Sequence, residues 1–261
     1  HVFRYSARIR LGRDALSGKI HASAASLMSA ILLCASCFQG VGAADVLVSV
    51  NPSTGADSSS CNMTSPCRTI AYAIQTRNAN VVFLSNGTFV ESSVAINSSI
   101  PFVNITGLLG GTVFDCSLTA SSGPAFAITN TSIAISGITF QNCANFNVVS
   151  GIVGVGGAIS ASGSSVIVGD CKFFNNTAQI GGAIGVTSSS LVVSSCVFEN
   201  NTATCPNAAS TTTECLAWGG AIGTEESPSV SIMGSRFNSN AVNLVLNSVT
   251  SGTSQAVGGG G

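Results

Sequence analysis

Acid–base catalysis needs titratable side chains held at defined separations, so the carboxylates, bases and histidines come first. The 261 residues hold ten Asp and Glu and nine Lys and Arg. After residue 44 the carboxylates are Asp45, Asp57, Glu91, Asp115, Asp170, Glu199, Glu214, Glu225 and Glu226. The bases there are Arg68, Arg77, Lys172 and Arg236. Hydrolysis of a glycosidic bond takes two carboxylates at a set distance. Both histidines, His1 and His21, lie before residue 44, so beyond it there is no imidazole base and no Cys/His zinc spacing. No triad, phosphate loop or HExxH string occurs, and serine is too frequent to mark a nucleophile. No catalytic, metal or cofactor residues are therefore assigned. Asp170 and Lys172 are two apart and would share a strand face, which predicts an exposed ion pair of little energetic consequence. One repeat on, Ser195 and Val197 stand in their places, so no catalytic row builds up. Lys172 and Arg236 occupy one position two repeats apart with Val197 between them, which favours a solvated face over a substrate clamp. Glu225 and Glu226 read as a polar turn.

Ten cysteines are present, and Cys34 and Cys37 precede residue 44. The remaining eight are an even number, which fits an oxidising compartment. Cys61 with Cys67 and Cys205 with Cys215 are the local pairs expected to close disulfides. Cys171 and Cys196 fall at one repeat position, as either a disulfide or a buried thiol ladder; the connectivity of Cys116, Cys143, Cys171 and Cys196 stays open. Asn-x-Ser/Thr acceptors stand at Asn62, Asn86, Asn97, Asn104, Asn130, Asn175 and Asn200. In a eukaryotic secretory pathway each is a surface glycosylation candidate, although so much Asn, Ser and Thr also produces such triplets by chance. The segment 204–218 carries its own cysteine pair and the sole tryptophan, Trp218. It is the candidate binding loop, the alternative being a decorative loop with the indole packed on the body.

What must position these residues is a repeat. The string GGAI stands at Gly156–Ile159, Gly181–Ile184 and Gly219–Ile222. Each copy is followed by an apolar run: SVIVGDCKFFNNTA (165–178), SLVVSSCVFENNTA (190–203) and SVSIMGSRFNSNAV (229–242), with a looser SIAISGITFQNCAN (132–145) upstream. Phe173 and Phe198 are 25 residues apart and Phe198 and Phe237 are 39 apart, the same step plus an insertion. Self-similarity at this period marks a solenoid. β-branched runs, Gly/Asn/Ser turns and the lack of a helical stripe make it a β solenoid of three short strands per coil. Strand alternation predicts an inward column of Phe140, Phe173, Phe198 and Phe237, with Lys172 and Arg236 outward. Three residues after each Phe come Cys143, Asn176, Asn201 and Asn240, predicting an inward ladder that satisfies backbone groups at a turn. The double glycines permit a tight corner. Upstream, strands are expected at 45–50, 81–84, 94–96, 102–107, 112–116 and 125–129. RTIAYAIQTR (68–77) reads as a short helix capping the open end of the stack.

The pairing of GGAI with FxxN (Phe173–Asn176, Phe198–Asn201, Phe237–Asn240) resembles the repeat of the chlamydial polymorphic outer membrane proteins. More broadly the chain resembles the right-handed parallel β-helix proteins of the pectin-lyase-like superfamily, and CNMTSPCRTIAYAIQ through VVFLSNGTFVE looks like the N-terminal cap of such proteins. The resemblance implies an all-β, single-stranded right-handed parallel β-helix of about 25 residues per coil with a short N-terminal capping helix. It also implies a choice of function, because that fold hosts pectate lyases and polygalacturonases. A lyase of this kind needs acidic calcium ligands and an Arg or Lys base.

Only 7% of residues are charged and the net charge is −1, which leaves no nucleic-acid footprint and no polybasic membrane patch. Arg4, Arg8, Arg10, Arg13 and Lys19 precede an apolar stretch, Ala22–Cys37, and a small-residue site at Val41–Gly42–Ala43. That order describes a secretory signal peptide, an uncleaved anchor being the alternative. The expected organisation is a signal peptide and basic n-region at 1–44, a strand, disulfide loop and capping helix at 45–80, and β-helix coils at 81–261, truncated at the C-terminus. Function is expected to be structural, adhesive or carbohydrate- or protein-binding at the cell surface or outside it. The alternative is a divergent polysaccharide lyase or glycoside hydrolase. Expected partners are carbohydrate or a cell-surface protein. Nucleic acid is not expected, and a membrane only through a further C-terminal region or the uncleaved anchor.

Overall fold

The computed structural model describes residues 45–243, except 92, 120–122, 147, 150–151 and 206–216. All of these lie within one compact unit, Ala43–Gly261. The expected signal peptide, 1–44, and residues 244–261 lie outside the described residues.

The chain is all-β and its four larger sheets are parallel. Seven strands form the largest sheet in chain order: Leu47–Val50, Val81–Leu84, Phe102–Thr106, Ser132–Ser136, Ser165–Gly169, Ser190–Ser194 and Ser229–Met233. A six-stranded sheet contains Gly87–Phe89, Thr112–Asp115, Ile138–Gln141, Lys172–Phe174, Val197–Glu199 and Arg236–Asn238. A five-stranded sheet contains Val94–Asn97, Phe126–Thr129, Ile159–Ser162, Ile184–Thr187 and Ile222–Glu225. The fourth, Ala144–Asn145, Thr177–Ala178, Thr202–Thr204 and Ala241–Asn243, was not anticipated by a three-strand repeat. It arises because the residues after Cys143, Asn176, Asn201 and Asn240 continue as a short strand. One antiparallel hairpin, Val148–Val149 with Ile152–Val153, interrupts the pattern.

From Ile159 the chain visits the five-, seven-, six- and four-stranded sheets in turn. Each return pairs with the strand laid down one repeat earlier: Val166 opposite Leu191, Phe173 opposite Phe198, Ala178 opposite Ala203, Ile159 opposite Ile184. Alternate residues face inward. In the seven-stranded sheet Val103, Ile105, Ile133, Ile135, Val166 and Val168 are almost fully buried. Only in the last strand do the equivalent Val230 and Ile232 reach 42% and 44% exposure.

The phenylalanine column forms as expected and runs further. Phe89, Phe114, Phe140, Phe173, Phe198 and Phe237 are register partners in one sheet. Rings stack at 5.2 Å between Phe140 and Phe173 and at 4.8 Å for the next two steps. Burying each such ring is worth about 1.5–3 kcal/mol, with roughly 0.5–1.5 kcal/mol more per aromatic pair.

Corners are built by one rule. Each places a single residue in the left-handed region, and between strands the next side chain turns inward. Gly163, Ser188 and Glu226 do this at one corner, Asp170, Ser195 and Gly234 at the next, and Asn142, Asn175, Asn200 and Ser239 at the third. At the glycine corner Gly156, Gly181 and Gly219 have φ of 66–69°. A Cβ on the following Gly182 would overlap the Gly220 carbonyl and lie 2.6 Å from Thr202 N, so only glycine fits.

The α-helix expected over 68–77 is absent, and the segment folds instead into a five-residue π-helical turn, Tyr72–Thr76. Its first amides are taken by carboxylates from elsewhere. Asp57 Oδ1 accepts from Arg68 and Thr69 N–H at 2.8 and 3.0 Å, and Glu91 accepts from Ile70 and Ala71 N–H at 2.8 and 2.9 Å. Those are the donors a helix start leaves unpaired. The turn still protects an edge: Gln75 Nε2 donates to the Ala95 carbonyl on the edge strand of the five-stranded sheet. The first strand's free edge is covered by the Cys61–Cys67 disulfide loop, through Ser49 N to Asn62 O, Asn51 N to Cys67 O and Cys67 N to Ser49 O.

Candidate functional site

Inside the stack, polar side chains satisfy backbone groups. Asn176 N–H donates to Asn201 Oδ1 and Asn201 N–H to Asn240 Oδ1, at 3.1 and 3.0 Å. Their Nδ2 atoms donate to the carbonyls of Phe140 and Phe173 and to the next asparagine. Cys143 belongs to this ladder only through its amide, which donates to Asn176 Oδ1; its sulfur is bonded to Cys116. A second ladder, Thr131, Ser164 and Ser189, escaped the sequence reading: Thr131 N–H reaches Ser164 Oγ, and Ser164 N–H reaches Ser189 Oγ. The signal available was the small hydroxyl residue two places after each five-stranded-sheet segment.

Cys171 and Cys196 are free and buried, forming a thiol ladder in which Cys171 N–H points to Cys196 Sγ at 3.4 Å. Burial pushes the Cys171 thiol well up, with the neighbouring Cys196 adding to the rise. Cys205 is half of a disulfide; Cys215, its expected partner, lies outside the described residues, as does most of the candidate loop. Trp218 is half-buried, and its backbone bridges to Ile180 beside the glycine corner. Asn62, Asn86, Asn97, Asn130, Asn175 and Asn200 are exposed, and Asn104 is half-buried on a strand.

Outside the stack, the variable side chains gather on the six-stranded sheet. Alternation exposes two columns. One runs Thr139, Lys172, Val197 and Arg236, and the other Asp115, Gln141, Phe174, Glu199 and Asn238. Lys172 does not pair with Asp170, which occupies a left-handed corner; its Nζ lies 3.6 Å from Glu199 Oε2 and 5.6 Å from the Phe174 ring centre. Cross-strand register, not spacing along one strand, sets that pairing. Asn238 Nδ2 donates to Glu199 Oε1 at 3.4 Å. Asp115 accepts from Gln141 Nε2 at 2.8 Å, Asn142 Nδ2 at 3.2 Å and Ser117 Oγ at 2.7 Å. Partial burial pushes the Asp115 carboxyl up, but these hydrogen bonds prevail and hold it below the usual range. The face thus combines carboxylate acceptors, amide donors and one aromatic ring. Asp115 and Glu199 stand three strands apart, about 14 Å at ~4.8 Å per strand, wider than the roughly 5–9.5 Å that carboxylate-pair glycoside hydrolysis uses.

The other carboxylates serve the end of the stack. Glu91 lines a cavity of about 210 Å³ with Pro52, Arg68, Thr69, Thr88 and Phe89. Burial raises its pKa; the Ala71 and Ile70 amides pull the other way, and the charge of Asp57 adds to the rise. A raised carboxyl beside a second carboxylate is the pattern of an acid and its partner. Both Glu91 oxygens are already occupied by backbone amides, so its evident work is holding the π-helical turn. Asp45 accepts from Asn80 Nδ2 in the same region. Sequence reasoning missed these roles because Asp57 and Glu91 act 11 and 21 residues from their partners.

No group of His, Cys, Asp and Glu that could hold a metal ion occurs among the described residues, and none of their helices is long and apolar enough to cross a membrane. No protein-family model matches the chain, nor does any curated protein or solved structure.

Proposed function

We propose that this chain is a secreted or cell-surface right-handed parallel β-helix, related to the pectin-lyase-like proteins and to polymorphic outer membrane protein repeats, with a non-catalytic structural, adhesive or binding role. One observation carries this reading most: the inward columns continue from repeat to repeat, while the outward columns of the six-stranded sheet change at every step. Stacking is what the repeat encodes, and the face left over is a mixed polar surface with one aromatic ring. Such a surface suits an extended carbohydrate or a protein loop, through amide and carboxylate hydrogen bonds with Phe174 as the apolar contact. The Cys61–Cys67 and Cys116–Cys143 disulfides fit an oxidising compartment.

The test incubates purified protein with polygalacturonate and other uronate polymers and with glycan and cell-surface protein arrays. Binding without release of reducing or unsaturated products is expected, weakened at least tenfold by combining Lys172→Ala with Phe174→Ala. Polymer cleavage would overturn the non-catalytic reading. It would favour a divergent lyase or hydrolase, for which Glu91, half-buried beside Asp57 and Arg68, is the observation in hand. In that case Glu91→Gln would abolish the cleavage.

A further inference from the structure

We propose that Asn175 and Asn200 together make one N-glycosylation site, spread over two adjacent repeats and able to carry one glycan at a time. The proposal rests on the secretory reading above. Each asparagine begins an Asn-Asn-Thr triplet. In each, the first asparagine occupies the left-handed corner, with φ of 54° and 56°, and is exposed, while the second is fully buried in the inner ladder. The buried Asn176 and Asn201 use their side chains inside, so the exposed Nδ2 of Asn175 or Asn200 is the acceptor atom at each corner.

The two corners are in register. The strands before them pair Phe174 with Glu199, those after them pair Thr177 with Thr202, and Asn175 N–H donates to Glu199 O. Adjacent strands sit about 4.8 Å apart. A pyranose ring with its hydroxyl and acetamido groups is wider than that spacing, and both side chains leave the same corner on the same side. A glycan on one therefore covers the other. The pair is also unequal. Asn175 Nδ2 donates to Asn142 Oδ1 of the preceding repeat at 2.8 Å, whereas no side-chain hydrogen bond of Asn200 is found among the described residues, which makes Asn200 the preferred acceptor. The donor class is a lipid-pyrophosphate-linked oligosaccharide. Nδ2 attacks its anomeric carbon, a C–N bond forms as the C–O bond to pyrophosphate breaks, the lipid pyrophosphate leaves, and one amide proton is lost.

Trypsin cleaves after Lys172 and after Arg236 with no Lys or Arg between, so one peptide, Phe173–Arg236, carries both acceptors. The full chain, secreted from cultured eukaryotic cells, is reduced, digested and read by intact-glycopeptide mass spectrometry. The expected result is this peptide with a single glycan, mostly at Asn200, and no doubly modified form. Thr202→Ala should move the glycan to Asn175, and Thr177→Ala should leave it on Asn200. Neither change touches the left-handed corner. A doubly glycosylated peptide from secreted protein overturns the proposal. So does a bare peptide when other acceptors are occupied, an outcome that leaves the secretory reading standing. Secreted protein without a glycan on any of the seven asparagines overturns the proposal and argues against a eukaryotic secretory origin.

Discussion

Asn201 shows how much one side chain carries in this molecule. Replacing it with Ala strips partners from the buried Asn176 N–H and the Phe173 carbonyl, and each unsatisfied group costs about 1–3 kcal/mol. Asn201→Ala should therefore lower unfolding stability by about 2–6 kcal/mol in urea titration. Its exposed neighbour is different: Asn200→Ala loses only the tolerance of asparagine for the left-handed region, about 1–2 kcal/mol, and Asn200→Gly should cost almost nothing. Two carboxylates predict opposite pH behaviour. The folded pKa of Glu91 is raised by burial, so its contribution is full below the unfolded value and is lost as pH rises through the raised value. Wild type should lose stability relative to Glu91→Ala over the window between the unfolded and the raised folded value. Asp115 is held low by its hydrogen bonds, so its contribution is present above the unfolded value and fades as pH falls through the lowered one. The penalty of Asp115→Asn should shrink on acidification. A stability difference independent of pH in either comparison would contradict these assignments.

At the level of strands and corners, the phenylalanine column and the glycine corner are the elements most sensitive to change. Phe198 is fully buried between two stacked rings, and Phe198→Ala should cost about 3–5 kcal/mol. Phe237→Ala should cost visibly less, because Phe237 is half-buried. Cys171 and Cys196, buried as thiols, should resist alkylation in the native protein and react once it is unfolded with its disulfides left intact. The inward pattern was legible in the sequence wherever the repeat is regular: Phe140 to Phe237, Asn176 to Asn240, and the outward Lys172 and Arg236 all follow from period-two alternation and a constant step. Phe89 and Phe114 were not, since no GGAI precedes them and the irregular turns around them hide the step. The Cys116–Cys143 disulfide was hidden for the same reason, as it joins sulfurs that only register brings together. The π-helical turn escaped because periodicity recognises an apolar stripe but not the distant Asp57 and Glu91 that fix its amides. The outer face was half legible: its residues could be assigned to it, but the Lys172–Glu199 pair depends on neighbouring strands.

For the molecule as a whole, stability is local, since each repeat touches only its neighbours. The first strand is sealed by a disulfide loop and the edge strand Val94–Asn97 by the π-helical turn, whereas Val230 and Ile232 at the other end of the seven-stranded sheet are exposed. Amide hydrogen exchange should accordingly be slowest through 165–174 and 190–199 and faster in 229–238; uniform protection would argue against a stack of nearest-neighbour repeats. The central claim is that inward side chains repeat in register while outward ones vary from repeat to repeat. Its most direct test is solution NMR on protein with labelled phenylalanine rings. Phe140, Phe173, Phe198 and Phe237 should show ring-to-ring contacts only between consecutive members, in keeping with centroid separations of 5.2, 4.8 and 4.8 Å. Missing consecutive contacts, or a direct contact between Phe173 and Phe237, would contradict the account.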